Sequence, residues 1–107
     1  GKAALTSLGV WPTVERNVAQ TENARAALAL VASGEAPFGI VFGSDAIAGA
    51  GSVTVVGTFP ADSHPAIVYS GAVTTDAHTP AARALLDRLS SPEARAVLAA
   101  QGFVPLD

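Results

Sequence analysis

The chain has 107 residues, enough for about one small domain, and its composition of 50% hydrophobic and 14% charged residues excludes a disordered or charge-solvated chain. The net charge is −3 and the six Lys and Arg residues are scattered, so we predict no nucleic-acid partner. No cysteine is present, which excludes disulfides and thiolate metal sites, and no apolar run reaches the roughly 18 residues of a membrane span. Gly1-Lys2 leads directly into helix-like sequence, so we expect the chain to come from the middle of a longer polypeptide.

The first half of the chain predicts three helices and two strands. Residues 2–8 are rich in Ala and Leu and stop at Gly9, whereas residues 14–19 are irregular or a short strand. Asn23 starts a helix over residues 24–32 that should be largely buried, and Gly34 ends it. The apolar run 38–42 predicts a central strand buried on both faces, Ser44 or Asp45 caps a short helix that ends at Gly49, and residues 53–57 predict a second strand.

The second half predicts a third strand followed by two helices. The apolar run at residues 66–69 predicts the strand. Thr79-Pro80 and Ser91-Pro92 are start signals for helices whose inner faces should carry Ala82, Leu85, Leu86 and Leu89, then Ala94, Val97 and Leu98. The order of these elements predicts an α/β protein.

Residues 21–45, TENARAALALVASGEAPFGIVFGSD, contain the features that predict a binding site for an anion. They place a helix N-terminus close in sequence to the end of a predicted buried strand. Helix N-termini expose unpaired N–H groups and the positive end of the helix dipole, so they bind anions without a cationic side chain. An acidic chain without a basic cluster would need such a site to hold a dianion.

This segment closely resembles bacterial periplasmic molybdate-binding proteins. The resemblance rests on residues 22–31 (ENARAALALV) and 34–46 (GEAPFGIVFGSDA), with further similarity at residues 59–64, 68–69 and 102–103. It implies an α/β, type II periplasmic-binding-protein-like fold, present as a fragment that covers most of the second lobe and the C-terminal part of the first. Residues 1–62 would be the second-lobe segment, and residues 63–107 the return segment with the C-terminal helices of the first lobe.

The resemblance also implies a function. The chain would belong to the solute-binding component of a periplasmic ABC importer, would bind molybdate or tungstate through neutral N–H and OH donors, and would be neither an enzyme nor a cofactor protein. Its partners would be a membrane permease and the missing N-terminal half of the same protein or a second copy of the chain. The fragment alone would bind weakly or not at all.

Three residues are the expected anion site. The family's backbone amide at the start of the long helix maps onto Ala24, and Asn23 adjoins it at the helix start. The family's tyrosine maps onto Phe42, which has no hydroxyl, so one donor is missing here. The first-lobe hydroxyl ligands and another second-lobe amide map upstream of Gly1.

Two other functions remain open from the sequence. The first is an effector-sensing domain of a transcription regulator with the same fold. The second is a small hydrolase using Ser63 or Ser70, although the adjacent Asp62, Ser63 and His64 favour loop hydrogen bonding over a triad. The two histidines, His64 and His78, do not predict a metal site.

Overall fold

Six α-helices and two short 3-10 helices are the regular elements that the computed structural model places in residues 1–106, the part of the chain that it describes. The chain divides into two units, and the boundary lies between Ile67 and Val68. This boundary falls five residues after the predicted division at residue 62, and the assignment of the two segments to lobes stays a prediction.

The first unit is helical and holds the candidate anion site. Its elements are α1 (Lys2–Ser7), α2 (Trp11–Val14), a 3-10 helix (Glu15–Asn17), α3 (Ala24–Ala32), α4 (Gly43–Ala48) and a second 3-10 helix (Ala61–Ser63). Helix α1 packs on α2 and on the second 3-10 helix, and α3 packs on α4. The buried residues of the unit lie in these packed elements: Ala4, Leu28, Asp45 and Ser63.

Helix α3 begins and ends where the sequence predicts. The side chain of Asn23 accepts a hydrogen bond from the Ala26 N–H at 2.8 Å, which satisfies one amide of the first turn. Gly34 follows the helix with φ of 82°, a left-handed conformation that favours glycine. The predicted extent of burial is wrong, however, because Leu28 is the one buried residue of α3.

Contact between α3 and α4 is close at Gly49, which follows α4. A Cβ atom at this position would lie 2.9 Å from Cδ1 of Leu28, inside the usual contact distance. The absence of a side chain at Gly49 therefore lets Leu28 pack against the end of α4.

The second unit contains α5 (Pro80–Arg88) and α6 (Pro92–Ala100). Both helices begin with proline, as predicted, and the Ser91 hydroxyl accepts from the Ala94 N–H at 3.2 Å. The rings of Tyr69 and Phe103 pack edge to face with centroids 5.5 Å apart. The predicted inner faces are only partly covered: Leu85 is 65% exposed and Val97 is 64% exposed.

The predicted α/β, type II periplasmic-binding-protein-like fold is wrong for residues 1–106, because they contain helices and no strand. The segments 38–42, 53–57 and 66–69, predicted as strands, form no ladder. The run 38–42 is also not buried on both faces, since Phe38 is 75% exposed. Residues 14–19, predicted as irregular or a short strand, contain the end of α2 and a 3-10 turn and no strand.

The physical reason is a lack of backbone pairing. A strand is stable only when its N–H and C=O groups bond to a neighbouring strand. Outside the helices of residues 1–106, the backbone hydrogen bonds join groups close in sequence; the longest span runs from Ala36 N–H to Leu30 O. The apolar runs therefore stay extended or irregular, with their side chains open to solvent.

Candidate functional site

The start of α3 offers backbone donors. Ala24 and Arg25 are the first two residues of the helix, and their N–H groups have no hydrogen-bond acceptor among residues 1–106. The side chain of Asn23 accepts from the third amide, that of Ala26, and the backbone carbonyl oxygen of Asn23 accepts from the Thr21 hydroxyl at 2.9 Å. Ala24 is half-buried, and no acidic residue lies in the first turn. Two unpaired amides thus point outward at the positive end of a nine-residue helix.

The start of α4 differs from that of α3, because the carboxylate of Asp45, a residue of α4, already accepts from a backbone N–H there. Phe42 is the N-cap residue, and its N–H donates to Oδ2 of Asp45 at 3.1 Å. The Asp45 N–H donates in turn to the Phe42 carbonyl oxygen at 3.0 Å. The sequence predicts that Ser44 or Asp45 caps this helix; the N-cap residue is instead Phe42, and Asp45 takes part from inside the first turn by accepting from the Phe42 N–H. Since an internal anion already sits at this helix end, α3 is the better place for an external one.

An ion pair joins the two helix starts. Nε of Arg25 lies 2.9 Å from Oδ1 of Asp45, so the two oxygens of one carboxylate hold both the second residue of α3 and the N-cap of α4. The Asp45 side chain is 7% exposed and that of Arg25 is 65% exposed. Two charge-assisted hydrogen bonds offset the cost of burying the carboxylate.

The structure therefore brings the predicted site residues into one unit. Asn23 and Ala24 form the start of α3, and Phe42, which is 40% exposed, begins α4, the helix that packs on α3. Sequence reasoning missed Arg25 as the link between them. Its partner is 20 residues away, and only the opposite charges of the two residues could have suggested the pair.

Ser63 and His64, two candidates for the alternative hydrolase function, do not form a catalytic pair with each other. The Ser63 hydroxyl donates to the Pro60 carbonyl oxygen at 2.6 Å, and the His64 ring nitrogen Nδ1 lies 2.8 Å from the Pro65 carbonyl oxygen. Both groups are thus engaged in local loop contacts. Within residues 1–106, no group of three or more His, Asp or Glu side chains is arranged to hold a metal ion.

Comparison with known proteins decides the family. Residues 1–104 match the sequence profile of the bacterial extracellular solute-binding proteins. The chain belongs to this family. No helix in residues 1–106 is long and apolar enough to cross a membrane.

Individual proteins similar to this chain confirm the predicted resemblance. The chain is 45% identical over 102 residues to the molybdate-binding protein ModA of Escherichia coli strain K12, and 40% identical over 100 residues to ModA of Haemophilus influenzae. It is 33% identical over 104 residues to a Bacillus subtilis protein whose name assigns it provisionally to the substrate-binding lipoproteins of ABC transporters. These matches cover 95%, 94% and 96% of the chain.

The chain spans only about two fifths of these relatives, with coverage of 39%, 39% and 40% of their lengths. All three names describe binding proteins rather than enzymes, in agreement with the predicted solute-binding role.

Proposed function

We propose that this chain is part of the solute-binding component of an ABC importer and that it binds molybdate or tungstate at the start of α3. The observation that carries the proposal is the pair of open amides at Ala24 and Arg25, in a chain 45% identical to a molybdate-binding protein. A tetrahedral dianion presents four acceptor oxygens, and N–H groups at a helix start match such an acceptor in charge and geometry.

The neighbourhood of Ala24 supports this assignment. Asn23 acts as the cap that fixes the helix start, so its role at the anion is to orient the amides. Phe42, the N-cap residue of α4, stands at the sequence position where the family resemblance implies a hydroxyl donor, and its ring carries no hydroxyl. With one hydroxyl fewer, binding depends more strongly on the backbone amides.

Donors from outside residues 1–107 complete the anion site in this proposal. The Ala24 and Arg25 amides supply at most two donors, too few for four oxygens. The remaining donors come from another part of the same protein or from a second copy of the chain. Large apolar side chains such as Val56, 81% exposed, and Val104, 85% exposed, are available for such an association.

The name of one relative, a substrate-binding lipoprotein of an ABC transporter, supports the proposed cellular setting. The loaded protein acts in the periplasm and delivers the oxyanion to a membrane permease. Selectivity against sulfate comes from size, because fixed N–H donors fit one anion radius well and all three oxyanions carry the same charge.

Calorimetric titration tests this function. The sample is the parent polypeptide, meaning the longest natural chain that contains residues 1–107, titrated separately with molybdate, tungstate and sulfate. We expect tight, saturable binding of molybdate and tungstate and at least about tenfold weaker binding of sulfate, which corresponds to about 1.4 kcal/mol of discrimination. A preference for sulfate, or no heat with any of the three anions, would refute the ligand assignment.

A further inference from the structure

We propose that the Arg25–Asp45 ion pair is a positioning device that fixes the Ala24 amide relative to the start of α4. This inference rests on the proposed function, since the amide it positions is the proposed anion donor. It assigns a role to two side chains that do not themselves touch the anion.

The geometry of one carboxylate carries the inference. Oδ1 of Asp45 accepts from Nε of Arg25 at 2.9 Å, and Oδ2 accepts from the Phe42 N–H at 3.1 Å. Arg25 directly follows Ala24 in α3. Asp45 therefore connects, through one rigid planar group, the residue beside one candidate ligand and the backbone of the other.

Burial of Asp45 makes both of its hydrogen bonds costly to break. Asp45 is one of two buried polar residues in residues 1–106, with 5% of its surface exposed. When a buried carboxylate loses one of its hydrogen-bond partners, little water is available to replace that partner, so breaking either bond costs free energy. The pair consequently restricts how α3 can slide or rotate on α4.

A positioning role and a simple charge effect predict opposite changes in molybdate affinity for Asp45→Asn. If the side chains acted only through charge, Asp45→Asn would leave the Arg25 cation unneutralised beside the anion and would tighten binding. If they position the amide, Asp45→Asn weakens binding, because asparagine can still accept from Phe42 N–H through its one oxygen but loses the charged link to Arg25. Arg25→Gln weakens binding under either mechanism.

The test compares molybdate affinity in the parent polypeptide, at a temperature where every variant is folded. We expect Arg25→Gln and Asp45→Asn each to weaken binding about 5-fold, within the range reported for residues that modulate a site without touching its ligand. The double variant should lose little more than either single variant, because both changes break the same link. Arg25→Lys, which keeps the positive charge and can donate through its ammonium group, should recover part of the loss.

A matched ion pair in the second unit supplies the control. Nε of Arg83 lies 3.2 Å from Oδ1 of Asp87, with the same atom types, but both side chains are largely exposed. Arg83→Gln and Asp87→Asn should leave the molybdate affinity unchanged. Tighter or unchanged binding by Asp45→Asn would overturn the inference, as would a fall in stability with no change in affinity.

A second readout separates this inference from the proposed function. In amide NMR spectra without ligand, Asp45→Asn should shift the proton and nitrogen resonances of the Ala24 amide, whereas Asp87→Asn should not. If the unsubstituted protein binds no oxyanion but these shifts occur, the proposed function fails and the positioning of the Ala24 amide stands. If the Ala24 resonance does not move in Asp45→Asn, the positioning role is wrong whatever the protein binds.

Discussion

Ala24→Pro should weaken molybdate binding by about 10- to 100-fold while α3 stays folded. Proline lacks the backbone N–H, so the substitution deletes the proposed donor and changes little else. A hydrogen bond to a charged group contributes about 1.5–3 kcal/mol, and each 1.4 kcal/mol is a factor of ten in affinity. The Arg25 amide remains and accounts for the residual binding.

The position tolerates proline for two reasons. Ala24 is the first residue of α3, where proline is favoured, and α5 and α6 already begin with Pro80 and Pro92. Asn23 has φ of −159° and ψ of 170°, extended backbone of the kind that a residue before proline prefers. Ala24→Val, which retains the N–H, is the control and should bind normally. Equal molybdate affinity of the Pro and Val variants, measured by calorimetry with helix content checked by circular dichroism, would exclude the Ala24 donor.

Phe42→Tyr should strengthen molybdate binding by about tenfold. The substitution adds a hydroxyl at the para position of the ring, where the family resemblance implies a donor to the anion. A hydrogen bond from this hydroxyl to a dianion is charge-assisted, and the gain corresponds to the lower end of the range for such bonds. Phe42 is 40% exposed, so the substitution does not bury an unpaired hydroxyl in the interior of the unit.

Phe38→Tyr is the matched control for the hydroxyl. Phe38 lies four residues earlier in the same unit, is 75% exposed and is not one of the proposed anion-site residues, so its tyrosine variant controls for the added hydroxyl itself. Calorimetry of both variants should show tighter molybdate binding for Phe42→Tyr alone. A gain of equal size in both, or no gain in either, would mean that Phe42 does not face the anion.

Local signals predicted the helices well because each depends on residues adjacent in sequence. Asn23 caps α3, Ser91 caps α6 and Gly34 ends α3 with a positive φ, all as the sequence indicates. Each of these features is decided within about four residues. Both open amides of the candidate site follow from the helix start alone.

Strands and long-range contacts could not be predicted in the same way. The apolar run at residues 38–42 reports hydrophobicity, but a strand also needs a partner whose backbone accepts and donates its hydrogen bonds. Residues 1–106 supply no such partner, and Phe38 remains exposed. The Arg25–Asp45 pair could not be predicted either, because the sequence next to each residue does not specify which oppositely charged residue will be its partner.

The central claim is that the Ala24 amide donates to a bound oxyanion, and NMR observation of that amide during a molybdate titration tests it most directly. We predict that the Ala24 amide proton of the parent polypeptide moves downfield and exchanges more slowly with solvent as molybdate is added. Its titration curve should saturate at the affinity measured by calorimetry. Saturable molybdate binding with an unchanged Ala24 amide would contradict the account.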